Sequence, residues 1–238
     1  MRMGTTGKST VRRHGRTALP LVAAGILFLG PAGVRSMSGL PQTLSRPSGG
    51  DPADTVILFN GKTLDGWAVT PFRKPGPVTV DSGAVILGAG TGCTGITWQK
   101  DFPTTGYEVE LEAMRVDGDD FFCGLTFPVG GDPCTLIAGG WGGSLVGLSC
   151  IDELDASENF TGLPYTFKNG RWYRIRLRVT KENISVWIDG KQWIDADIVG
   201  RQLSIRWEVD LSRPFGFASW YTTAALRNIT LKRLPNQM

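Results

Sequence analysis

Period-two alternation constrains this chain more than any other feature. Tyr107 to Ala113 alternates apolar with acidic residues, Trp172 to Val179 alternates apolar with basic ones, and Leu203 to Leu211 alternates over nine positions. Successive side chains of a strand face opposite sides of a sheet, so each run reads as a half-buried antiparallel strand. Ile184 to Ile194 reads as a hairpin, with Asp189-Gly190 supplying the positive φ angles of a tight turn. No amphipathic helix of useful length appears between them. With 32 glycines and frequent turn dipeptides, the pattern predicts an all-β sandwich of two antiparallel sheets.

The sandwich is expected over residues 55–235. Residues 1–36 carry a basic head, an apolar stretch and then small residues, which reads as a secretory signal peptide; residues 37–54 are rich in Pro, Ser and Gly and read as a linker. The expected location is secreted, periplasmic or cell-envelope, with no stable membrane span once the signal is cleaved. Residues 1–36 hold six of the 25 Lys and Arg and no carboxylate, leaving 19 positive against 22 negative residues. The basic pI therefore belongs to the leader, and no nucleic-acid partner is implied. The single histidine, His14, lies there too. Catalysis in the remaining chain must rest on carboxylates, Tyr, Lys or a hard cation, since Ser-His, Cys-His and His-zinc chemistry need a histidine it lacks.

Leu58-Phe-Asn-Gly-Lys-Thr-Leu-Asp-Gly-Trp67 opens the domain with two tight turns closed by a tryptophan. This string resembles the opening of the 3-keto-disaccharide hydrolase domain family, itself similar to the concanavalin A-like lectins and glucanases. Val78 to Leu87, Asn169 to Ile175, Ile184 to Gly190, Gly216 to Trp220 and Leu226 to Ile229 resemble further strands of that family. The middle departs: Phe121 to Leu125 and Gly147 to Asp152 stand where relatives carry an Asn-Ser-Gly-Ile turn and a Glu-x-Gln-Ile-x-Asp strand. The resemblance implies a concanavalin A-like jelly-roll sandwich that hydrolyses or recognises saccharides.

Candidate chemistry falls in three places. Glu108, Glu110 and Glu112 share one strand face about 6.8 Å apart, near the separation used by glycosidase carboxylates. Glu110 and Glu112 are thus candidate catalytic residues. Arg174, Arg176 and Arg178 have the same period, so the two triplets equally suit a charged ladder. The second place is Asp152, Glu153, Asp155, Glu158 and Asn159. Asp152 and Glu153 could be a catalytic pair; Asp155, Glu158 and Asn159 could bind sugar hydroxyls, and the set could ligate Ca²⁺. The third is Trp141, flanked by glycines, which could stack on a sugar ring or fold back over a sheet edge. Trp172, Trp187, Trp193 and Trp207 sit in alternating strands and are read as packing, except that the parity of Trp172 matches the arginine face. A non-catalytic carbohydrate-binding module and a matrix or wall interaction domain are the alternatives to an enzyme.

Cys93, Cys123, Cys134 and Cys150 suit two disulfides in an exported domain, with buried thiols as the alternative. Gly140-Trp-Gly-Gly143 reads as a turn centred on residue 142, which sets Cys134 opposite Cys150. That favours Cys134–Cys150 with Cys93–Cys123.

Overall fold

The computed structural model describes residues 55–235; the expected signal peptide and linker lie outside the described residues. Two antiparallel sheets stack face to face. The first runs β13 (Lys191–Asp197), β12 (Asn183–Ile188), β11 (Trp172–Val179), β6 (Tyr107–Asp117), β15 (Thr223–Arg233), β4 (Ala84–Leu87) and β3 (Val78–Asp81). Strand β1 (Thr55–Ile57) pairs beside β4 along the far half of β15. The second sheet runs β10 (Leu163–Pro164), β9 (Leu145–Ser149), β8 (Asp132–Gly139), β7 (Cys123–Val129), β14 (Gly216–Trp220), β5 (Cys93–Trp98) and β2 (Trp67–Val69).

Alternation decides which face of each strand is buried. Tyr107, Val109 and Leu111 on β6 and Tyr173, Ile175 and Leu177 on β11 enter the shared core, where they meet Leu125 and Phe127 of β7. Burying a side chain of this size is worth about 1.5–3 kcal/mol, so a one-residue slip, which would expose the whole set, is strongly disfavoured. The opening string closes as expected. Asn60 Oδ1 accepts from the Lys62 and Thr63 N–H groups at 2.8 and 2.9 Å, and buried Trp67 donates Nε1–H to the Leu58 carbonyl at 2.8 Å. Gly66 has φ 84°, and a Cβ there would stand 2.7 Å from the Trp98 ring, so no other residue fits. Asp189 and Gly190 have φ 51° and 81° and close the β12–β13 hairpin.

One strand expectation fails. Leu203 to Leu211 is not a strand: after a single bridge from Leu203 to Ile151 it becomes a 3-10 turn over Trp207–Ser212. Its buried residues, Val209 and Ser212, fall three apart, the spacing of that turn and not of a strand. The segment lies across the outer face of the second sheet. There Val209 joins Phe72, Cys93 and Ala218 in a small second core, flanked by Phe121, Ile205 and Trp220.

The four cysteines are separate buried thiols in the described structure. The β8–β9 register pairs Ile137 with Gly147, so the turn is centred on 142, but the ladder ends at Thr135 and Ser149; Cys150 pairs instead with Ser204 and no bond joins it to Cys134. The Cys93–Cys123 pairing is corrected. Cys123 points into the main core and Cys93 into the outer one, on opposite faces of one sheet. Burial pushes the thiols of Cys93, Cys123 and Cys134 up to about 12, which leaves them unreactive near neutral pH.

Candidate functional site

The outer face of the first sheet carries the glutamate triplet, and each member has an arginine. The β6–β11 register sets Glu108, Glu110 and Glu112 opposite Arg178, Arg176 and Arg174. Glu110 accepts from Arg174 at 2.5 Å; buried Glu108 pairs with Arg178 at 2.8 Å and Arg176 at 3.6 Å. Glu112 accepts from Arg227 at 2.6 Å and from Asn228 Nδ2 at 3.1 Å. Arginines also cover the indoles here: Arg176 lies over Trp187 at 3.9 Å and Arg227 over Trp172 at 4.0 Å. This face is the charged ladder, with its carboxylates and its tryptophans both occupied.

The loop after β9 disperses its polar groups. Asp152 turns to Arg201 at 2.7 Å and to the Gln202 N–H at 3.0 Å. The Gln202 N–H, then Arg201, hold the exposed Asp152 carboxyl below its ordinary range. Glu153 and Glu158 are exposed. Asn159 is structural: its Nδ2 donates to the carbonyls of Leu148, Leu154 and Asp155, and its Oδ1 accepts from Thr161. Asp155 accepts from Ser157 through one oxygen and from Arg206 at 2.9 Å through the other. Among the described residues no three carboxylate, Cys or His groups are arranged to hold a metal; Asp152 and Asp155 are turned to different arginines, while Glu153 and Glu158 stand in solvent.

Trp141 opens onto a cleft of about 200 Å³ on the outer face of the second sheet. Phe121, Ile137 and Trp220 form its apolar side and Asp120, Arg206 and Glu208 its polar side. The glycines do what their number suggested. Trp141, Gly142 and Gly143 have φ 50°, 70° and 82°, a left-handed turn that leaves the indole 39% exposed. A Cβ on Gly143 would lie 2.5 Å from Arg115 Nη1. Buried Arg115 ties the floor together, donating to the Phe167 carbonyl and to Asn169 Oδ1, both at 2.6 Å. Asp120 is held beside it: its N–H donates to Thr222 Oγ1 at 3.2 Å, and its carboxylate accepts from the Phe121 and Gly142 N–H groups at 2.7 and 3.3 Å. Asp120 has no salt-bridge partner among the described residues. Opposite it, Arg206 is pinned by Glu208 at 2.8 Å and Asp155 at 2.9 Å. The Glu208 carboxylate, and behind it Asp155, push the guanidinium's pKa still higher, so a permanent positive charge is fixed at the cleft wall.

Of the residues picked from sequence, Trp141 lines this cleft and Asp155 supports it from behind. Glu110 and Glu112 lie on the other sheet, and Asp152, Glu153, Glu158 and Asn159 do not line it. Asp120, Phe121, Arg206, Glu208 and Trp220 were not singled out. The signal for two of them was the Leu203–Leu211 run, where Arg206 and Glu208 share a parity that strand reasoning assigned to a solvent face.

A model of the 3-keto-alpha-glucoside-1,2-lyase-like domain matches residues 54–232. No curated protein matches the chain. Among solved structures, the Crh5 transglycosylase in complex with NAG is 15% identical with a TM-score of 0.56, over 77% of this chain and 85% of that one. The apo Crh5 transglycosylase is 14% identical with a TM-score of 0.53, over 76% and 84%. The carbohydrate-binding module CBM66 from Bacillus subtilis is 15% identical with a TM-score of 0.47, over 70% and 95%. The architecture is the concanavalin A-like sandwich.

Proposed function

The chain belongs to the 3-keto-alpha-glucoside-1,2-lyase-like family, and from that premise we propose that it acts outside the cytoplasm on saccharides, taking a 3-keto-α-glucoside into the Trp141 cleft and cleaving it by elimination. The observation that carries this reading is the pairing, in one cleft, of an acid without a salt bridge, Asp120, and a pinned cation, Arg206.

The chemistry needs few groups. A carbonyl at C3 acidifies the proton on C2. Asp120 takes that proton, and the electron pair forms an enolate whose oxygen Arg206 steadies. The C3 carbonyl then re-forms, the pair left at C2 becomes a C1=C2 double bond, and the C1–O bond breaks. In an α-glucoside the departing oxygen leaves from the ring face opposite the C2 proton, so it takes its proton from solvent and Asp120 returns the one it took to solvent. Hydrolysis with paired carboxylates would ask for a second available acid, whereas Glu208 is engaged by Arg206 through both oxygens, at 2.8 and 3.2 Å. The indoles of Trp141 and Trp220 would take the C–H face of the ring.

Product analysis tests the reading. Incubation with a 3-keto-α-glucoside should release the alcohol and an unsaturated 3-keto sugar, lighter by one water than the hydrolysis product. A saturated product carrying solvent oxygen from the first turnover would replace elimination with hydrolysis. Saturable binding without either product would leave a carbohydrate-binding module, which the apolar side of the cleft alone would serve.

A further inference from the structure

The cleft is too small for what stands around it. At about 200 Å³ it falls below the roughly 300 Å³ at which pockets for drug-sized ligands begin, so it encloses about one sugar ring. Two large aromatic side chains nevertheless stand exposed on the segments that form its rim. Trp207 is 82% exposed and lies between Arg206 and Glu208, which both line the cleft. It cannot turn inward, because its neighbours on either side are tied to each other and the next residue, Val209, is buried in the outer core. Tyr221 is 53% exposed and follows Trp220 directly. Its ring stands edge-on to that of Trp220 with centroids 5.0 Å apart, and its backbone is held at φ 47°, a conformation unfavourable for an aromatic residue. An indole left in water forgoes the burial that its area would otherwise gain, and none of the core residues uses it. Trp187 and Trp172 on the other sheet, by contrast, are each covered by an arginine.

We propose that Trp207 and Tyr221 are saccharide plates outside the enclosed ring, so that the preferred ligand is a chain of at least three sugar units. One unit occupies the cleft, and its neighbours lie on the two exposed rings. This rests on the cleft being the saccharide site. A free disaccharide would use one plate and leave the other idle.

Chain-length dependence tests it. Titration calorimetry would follow methyl α-glucoside, maltose, maltotriose and maltopentaose, whose unoxidised rings are not cleaved, while turnover of a one-ring 3-keto-α-glucoside is followed in parallel. Affinity should rise roughly three- to tenfold for each added unit up to three and then level off. Trp207→Ala and Tyr221→Asn should each move the levelling point from three units to two; asparagine suits the positive φ, and both sites are exposed, so folding is preserved. Tyr221→Phe should restore the longer preference. Affinity that is flat beyond one or two units, or a length profile unchanged in both variants, in a protein that still turns over the one-ring substrate, overturns the plates and leaves the cleft reading standing. Loss of the cleft reading itself would show as no turnover and no binding at any length.

Discussion

The two outer faces of this sandwich contain similar residues and treat them in opposite ways. On the first sheet three glutamates meet arginines across β11 and β15, and two tryptophans lie beneath guanidinium groups. On the second sheet the Asp120 carboxylate accepts from backbone N–H groups and has no salt bridge among the described residues, while Trp141 and Trp207 stand uncovered. A regular strand pair places its charges at fixed spacing, so opposite triplets neutralise each other along the ladder. The second face is crossed by an irregular segment, Leu203 to Ser212, whose Arg206 pairs with Glu208 and Asp155 and leaves Asp120 without a salt bridge. Availability, not abundance, separates the candidate site from the scaffold.

The widest test of that contrast is a pair of carboxylate changes. Asp120→Asn should lower turnover of a 3-keto-α-glucoside by about a thousandfold, within the range lost with a general base. Glu110→Gln and Glu112→Gln should each leave it within about twofold and change stability by about 1 kcal/mol or less, since both pairs are half-buried and still partly reached by solvent. Initial rates and thermal melts decide the matter; activity lost in Glu110→Gln with the fold intact would return the chemistry to the ladder.

Arginines provide a second pair. Arg206→Met should cost about a hundredfold in turnover, comparable to removing a donor that steadies a developing oxyanion. Arg174→Met, which breaks only the Glu110 pair, should have little effect on rate. Equal losses in both variants would mean that Arg206 merely braces the segment. A smaller effect is expected from the indoles: Trp141→Ala should weaken saccharide binding about tenfold in titration calorimetry, while Trp187→Ala, on the ladder face, should not weaken it.

The same contrast explains what was legible in the sequence. Tyr107–Ala113 and Trp172–Val179 alternate because each buries one face and leaves the other to solvent, and their charge triplets suggested the ladder that the strand pairing forms. Leu203–Leu211 alternates as cleanly and is no strand, since periodicity does not report whether a sheet edge is available to receive it. Its Arg206 bonds Glu208 two residues away and Asp155 across the loop, a closure visible only in three dimensions. Asp120 sits in an acidic turn, Asp117-Gly-Asp-Asp120, which composition reads as a solvated loop. What singles it out is buried Arg115 beneath and the Gly142 N–H above, contributed by segments far apart in the chain. The Trp141 turn was legible because its glycines permit the left-handed backbone that a tight turn between two strands needs.

The smallest expected effect concerns Asp152, which the sequence offered as a catalytic acid and the structure turns toward Arg201 and Gln202. Its carboxyl is held below the ordinary range in the folded chain, so the unfolded chain binds a proton first as pH falls. The stabilisation is therefore fully present above the unfolded value, around pH 3.9 for a free aspartate, and fades as pH drops through the lower folded value. Because the group is exposed, the contribution is small. Melting temperatures of wild type and Asp152→Asn should differ slightly at neutral pH and converge in acid, with turnover alike in both. A difference that grows on acidification would reverse the assigned sign, and a variant with normal stability but no turnover would move Asp152 from the scaffold back into the chemistry.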